Sequence, residues 1–105
     1  MPSRFEPCGL NQMYSQRYGT IPVVRVTGGL DDTITDLTEK KSRADGIKFR
    51  ECSVRALAKA IRKALVLYQN PALLQQMRRN ALRADFSWDR TSHEYVKLYQ
   101  RLLQK

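Results

Sequence analysis

Histidine and cysteine are almost missing from this sequence: one His, His93, and two cysteines, Cys8 and Cys52, in 105 residues. Two distant thiols without a CxxC pattern make neither a disulfide framework nor a zinc cluster, so no metal site is expected. That thiol usage fits a reducing, intracellular setting. His93 stands far from Cys8 and no third partner is evident, so nothing supports a Cys/His nucleophilic pair. No run of about 20 apolar residues occurs, which excludes a membrane-spanning helix. The stretch Met1–Glu6 has no basic head followed by an apolar core, so it does not read as a secretory signal. Glycine and proline are sparse, at 5 and 4. Neither a low-complexity linker nor an internal repeat is found. Acidic residues are also few: 10 against 19 Lys and Arg, a formal net charge of +9.

What is present is a folding composition. Apolar residues make up 42%, enough for one small core and too many for a disordered tail. The positive charge has two readings. It can be a footprint for a polyanion such as nucleic acid, or a set of solvated helix faces. Arg55, Lys59, Arg62 and Lys63, then Arg78, Arg79 and Arg83, interleave with apolar residues as the outside of amphipathic helices does. No nucleic-acid motif accompanies them, so a nucleic-acid partner is not expected.

Along the chain, Pro2 and Pro7 keep the first residues extended. Leu10, Met13, Tyr14, Arg17 and Tyr18 recur at helical spacing from near Cys8-Gly9, and Gly19 ends the run. Ile21–Val26 is short, β-branched and apolar, as a strand buried on both faces of a parallel sheet would be. Thr27-Gly28-Gly29-Leu30 reads as a tight turn, Asp31–Asp45 as a loop, and Gly46–Phe49 as a short edge strand. Ser53 caps a helix from Val54 to about Tyr68, with Val54, Leu57, Ala58, Ile61, Leu65 and Tyr68 inward. Asn70-Pro71 opens another, with Leu73, Leu74, Met77 and Ala81 inward. Ser87 caps a last helix from Trp88 whose stripe is Trp88, Thr91, Tyr95, Leu98, Tyr99 and Leu102. The fold class is α/β with a partial parallel sheet and a helix-rich C-terminal end. The sheet is incomplete as read, since a strand should precede the first helix.

The chemistry concentrates at Ser3-Arg4-Phe5-Glu6-Pro7-Cys8-Gly9-Leu10-Asn11-Gln12. One carboxylate sits at the mouth of a strand-to-helix turn, followed by a glycine and a helix start. Free N–H groups there suit a phosphate, and the carboxylate can accept hydrogen bonds from sugar hydroxyls. Together they suit a sugar diphosphate. The plainer alternative is that Glu6 only favours the first helical turn electrostatically.

Three runs carry a resemblance: Ser3–Leu10, Tyr18-Gly19-Thr20-Ile21-Pro22-Val23-Val24, and Thr27-Gly28-Gly29-Leu30 with Asp32-Thr33. It resumes at Asp85-Phe86-Ser87-Trp88 and in the last helix with Tyr95 and Tyr99-Gln100-Arg101-Leu102. In these the chain resembles the C-terminal end of bacterial glycogen synthases and plant starch synthases. The resemblance implies part of a two-Rossmann-domain (GT-B) glycosyltransferase, with residues 1–105 a C-terminal portion of its donor-binding domain. It implies a retaining transfer of glucose from ADP-glucose, or UDP-glucose in some members, to the non-reducing end of an α-1,4-glucan, with no metal or other cofactor. Glu6 would be the catalytic-site acid on the donor glucose. Cys8, Gly9 and Leu10 would line the glucose and diphosphate through backbone groups, and Asn11 would stand near the distal phosphate. Thr27, Gly28 and Gly29 would form the cleft floor, although a plain turn explains them equally well. Tyr14 occupies a position where related transferases carry a ribose-binding Glu, so ribose binding does not transfer to it, and core packing is its other reading. The resemblance also implies that the N-terminal domain, with its acceptor groove, and the upstream cations that neutralise the diphosphate are partners this chain lacks. The last helix of the family crosses back to that domain, so its aromatics are either core or a contact to it. The implied compartment is the cytoplasm, or the plastid for a plant protein.

Overall fold

The computed structural model describes residues 1–105. The elements are α1 (Asn11–Arg17), β1 (Val23–Arg25), α2 (Gly28–Thr33), β2 (Ile47–Phe49), α3 (Val54–Tyr68), α4 (Pro71–Arg83) and α5 (Trp88–Leu103), with a 3-10 turn at Lys41–Arg43. The strands β1 and β2 pair in parallel, Val23 opposite Ile47 and Arg25 opposite Phe49. On the other edge of β1, the Met1 amino group donates to Val23 O (2.7 Å) and Arg25 N donates to Met1 O (3.0 Å). That is the slanted pattern of a parallel neighbour. The extended segment before α1 therefore begins where the expected strand would lie, with only its first residue, Met1, paired to β1.

Side chains of successive strand residues point to opposite faces. Val23, Ile47 and Phe49 meet a larger core with Ala44, Ala60, Leu67 and Met77. Val24 faces the other way, into a smaller cluster with Leu30 and Ile34. Helices α3 and α4 cover the first face and α2 the second, a doubly wound arrangement. Capping follows the sequence: Ser53 Oγ accepts from Ala56 N, Asn70 Oδ1 from Leu73 N and Ser87 Oγ from Arg90 N.

Four expectations need correction. Gly28–Thr33 is a helix rather than a turn running into a loop. Burial of Leu30 and of neighbouring Ile34, with Thr33 Oγ1 donating to Gly29 O (2.6 Å), outweighs the poor helix propensity of two glycines. The stripe on α3 is rotated: Ala56, Leu57, Ala60, Ala64 and Leu67 face the sheet, while Val54, Ile61, Leu65 and Tyr68 are exposed. The buried face of α1 is polar, Gln12 and Gln16, and Tyr14 is exposed, so core packing of Tyr14 is excluded. On α5 no residue is buried, so its stripe from Trp88 to Leu102 is not core.

Candidate functional site

Parallel strands deliver their loops to one edge, outside their carboxyl ends. Here Met1 leads into the loop Pro2–Leu10, and β1 leads through Val26-Thr27 into α2. These two loops are in contact. Gly29 N donates to Glu6 O (3.0 Å) and Pro7 O (3.1 Å). A Cβ on Gly29 would lie 2.5 Å from both C and Cα of Cys8, and one on Gly28 would strike Glu6 O. Gly28 also holds a positive φ of 43°, which glycine adopts without steric penalty. The glycine pair therefore exists to let the backbone of Glu6–Cys8 lie directly on it.

Further bonds hold the upper loop. Arg25, at the end of β1, donates through Nη1 to Arg4 O (2.9 Å) and Ser3 O (3.3 Å). The Glu6 carboxylate is half-buried and accepts from Ser3 Oγ (3.2 Å). Gly9 has φ 77°. From below, the fully buried Gln12 donates through Nε2 to Cys8 O (2.9 Å), Gly9 O (3.0 Å) and Thr33 Oγ1 (3.2 Å). Cys8, Leu10 and Asn11 are exposed on the outer side. The N–H groups of Gly9, Leu10 and Asn11 have no acceptor in the protein, and α1 has no side-chain cap. At seven residues, α1 has a short dipole, so the free loop amides rather than the helix are what an anion would meet.

The sites predicted from sequence thus fall into two layers. Glu6, Cys8, Gly9, Leu10 and Asn11 share the upper loop, with Thr27, Gly28 and Gly29 at the start of α2 against it. Sequence reasoning missed Gln12, Arg25 and Thr33. A polar pair at Gln12 and Gln16, four residues apart on a short helix, was the available signal for an inward polar face.

Below the loops lies a second polar layer. Lys48 projects from β2 to the α2 face and bridges Asp31 (2.8 Å) and Glu39 (3.0 Å). Burial opposes its charge, but the hydrogen bonds to Asp31 and Glu39 prevail and its pKa is raised. Asp36 is buried, which alone would raise its pKa; bonds from Thr38 N, Lys48 N and Thr38 Oγ1 outweigh this and hold it low. Asp45 accepts from Thr35 N and Gln16 Nε2, both 2.8 Å, yet its burial dominates and pushes its pKa up. A hollow of about 670 Å³ opens elsewhere, between Asp32, Asp45, Arg43, Arg83 and Arg90. Glu6–Leu10 lies outside it, on the surface.

No family model matches the chain. Known proteins do. It is 49% identical over 104 residues to the glycogen synthase of Koribacter versatilis, covering 99% of this chain and 22% of that enzyme. It is 51% identical over 106 residues to the glycogen synthase of Thioalkalivibrio sulfidiphilus, covering 98% and 22%. Among solved structures, the catalytic domain of starch synthase IV from Arabidopsis thaliana, bound to ADP and acarbose, superposes with a TM-score of 0.81 at 32% identity, over 99% of this chain and 22% of that one. Sucrose-phosphate synthase from Thermosynechococcus elongatus matches with a TM-score of 0.61 at 25% identity, over 98% and 24%.

The two glycine loops at one sheet edge are therefore part of a GT-B glycosyltransferase fold. Within that class, residues 1–105 are homologous to a segment of glycogen and starch synthases. The chain spans about 22% of the length of the curated relatives it matches. The comparisons give the polyanion-module reading no support. No helix is long and apolar enough to cross a membrane.

Proposed function

We propose that residues 1–105 form the C-terminal portion of the donor-binding domain of a retaining glucosyltransferase that extends an α-1,4-glucan from ADP-glucose. The observation that carries this is the upper loop: a half-buried carboxylate, Glu6, three residues before a glycine turn whose amides are unpaired. A carboxylate accepts from sugar hydroxyls and unpaired amides donate to phosphate, so one short loop matches both halves of a sugar diphosphate. The ADP in the Arabidopsis relative supports the adenine nucleotide.

Glu6 hydrogen-bonds the donor glucose and orients its anomeric carbon. Backbone groups of Cys8, Gly9 and Leu10 run along the glucose and diphosphate, and Asn11 meets the distal phosphate. Thr27, Gly28 and Gly29 are the floor that fixes the loop's height. Transfer needs charge stabilisation and closure of a second domain over the donor. One carboxylate and a few amides on an open surface do not supply these, so the 105-residue chain alone is inactive. The exposed face of α5, with Trp88, Tyr95 and Tyr99, is the contact to the N-terminal domain. The enzyme works in the cytoplasm, or the plastid in a plant.

Radiolabelled glucose incorporation into glycogen tests this. A full-length synthase carrying this segment should incorporate glucose from ADP-glucose, and the isolated chain should not. Absence of transfer by the full-length protein from either ADP- or UDP-glucose overturns the reading.

A further inference from the structure

Gln12 lies under the donor loop, fully buried, and its Nε2 reaches three acceptors: Cys8 O, Gly9 O and Thr33 Oγ1. No peptide bond in the chain is cis. In a trans peptide the C=O and the following N–H point in opposite directions. Drawing Cys8 O inward therefore turns the Gly9 N–H outward, and drawing Gly9 O inward turns the Leu10 N–H outward. Both are among the unpaired amides of the loop. Two successive outward N–H groups around a left-handed residue form a concave cradle for an anion.

Three further facts sharpen this. The Gln12 Oε1 is buried with no partner, a cost that a residue selected for packing alone would avoid. A Cβ on Gly9 would come within 2.7 Å of that oxygen, so the loop is fitted to the amide beneath it. Thr33 Oγ1 accepts from Gln12 and donates to Gly29 O (2.6 Å), while Gly29 N donates to Glu6 O. The chain Gln12–Thr33–Gly29–Glu6 thus ties the amide cradle to the carbonyl of the residue that bears the carboxylate.

We infer that Gln12 is a positioning residue that presets the Gly9 and Leu10 amides for the donor diphosphate, with Thr33 as its anchor. This rests on the donor-site reading above. Its effect is on phosphate recognition and not on the glucan.

The test uses the full-length synthase carrying this segment, with ADP as probe. Gln12→Leu keeps the volume and removes the donors. ADP affinity by calorimetry should fall about tenfold, the equivalent of one lost hydrogen bond to a charged group. The melting midpoint without ADP should fall, because three acceptors lose their buried donor, its rise with saturating ADP should shrink, and the KM for glycogen should not change. The Gly29 amide should lose protection from hydrogen exchange. Thr33→Val should weaken ADP in the same direction and Thr33→Ser should restore it. Unchanged ADP affinity in Gln12→Leu overturns the inference. If that variant does not fold, the Thr33 pair decides: equal ADP affinity for Thr33→Val and wild type overturns it. A wild-type enzyme that neither binds ADP nor transfers glucose overturns the donor-site reading itself, a separable result.

Discussion

Gly29→Ala probes the floor of the site most sharply. The added Cβ would strike Cys8 O and stand 2.5 Å from C and Cα of Cys8, at least 0.9 Å short of the 3.4 Å where ordinary contact begins. The obstacle is backbone, so the clash cannot be relieved by rotating a side chain. Either the loop lifts by close to 1 Å or α2 sinks, and Leu30 and Ile34 are too buried to let α2 sink. Displacement by about 1 Å costs about 100-fold in rate, or about 2.7 kcal/mol of barrier. The stability balance is much smaller. Weakening the bonds to Glu6 O and Pro7 O loses about 1 kcal/mol each, and alanine in a helix recovers about 1 kcal/mol over glycine. In a full-length synthase carrying this segment, kcat from ADP-glucose should therefore fall about 100-fold while stability falls by only about 1 kcal/mol. Steady-state kinetics beside a thermal melt checks both. A kcat within about threefold of wild type would refute the argument that loop height is set by this contact.

Met77→Ala should destabilise the domain by about 3 kcal/mol, since Met77, on α4, is fully buried against Ile47 and Phe49 of the sheet and Leu67 of α3, and urea unfolding reads this directly. Lys48→Met should destabilise by about 2 kcal/mol, because Asp31 and Glu39 lose their shared cation while remaining half-solvated. The two buried aspartates should act oppositely with pH. Asp36, held below the ordinary 3.8, contributes stability above that value that is lost as pH falls; Asp45, pushed above it, favours the fold at low pH and loses that contribution as pH rises through its raised pKa. Stability curves of Asp36→Asn and Asp45→Asn against wild type should show these opposite slopes. The exposed apolar stripe of α5 should make the 105-residue chain self-associate in light scattering, and Tyr95→Ser with Leu102→Ser should reduce this, because both residues are over half exposed on α5.

The legible parts of the fold were those where one local signal dominates. Ser53 and Asn70-Pro71 mark the starts of α3 and α4, and Leu73, Leu74, Met77 and Ala81 on α4 do face inward. Periodicity failed on α3 because that helix carries two apolar faces, and only the sheet decides between them. The Ala-rich face wins there because small side chains let the helix lie close to Phe49 and Ile47. α2 was illegible because its stability lies in Leu30 and Ile34 packing against Val24, a contact that Gly28-Gly29 hides locally. For the candidate site, the strand-turn-helix pattern is enough to put Glu6 and Gly9 in one loop ahead of α1, as the structure has them. The contacts of Gln12 and Thr33 are not legible there, because they form only when two segments far apart in sequence meet.

The central claim is that the Glu6 loop holds the donor for transfer. Glu6→Ala in the full-length synthase, assayed for glucose incorporation from ADP-glucose beside a thermal melt, tests it most directly. The account predicts a fall in turnover of about a thousandfold at an unchanged melting midpoint, as when a group acting on the transition state is removed. A near-normal rate in a folded Glu6→Ala enzyme would contradict it.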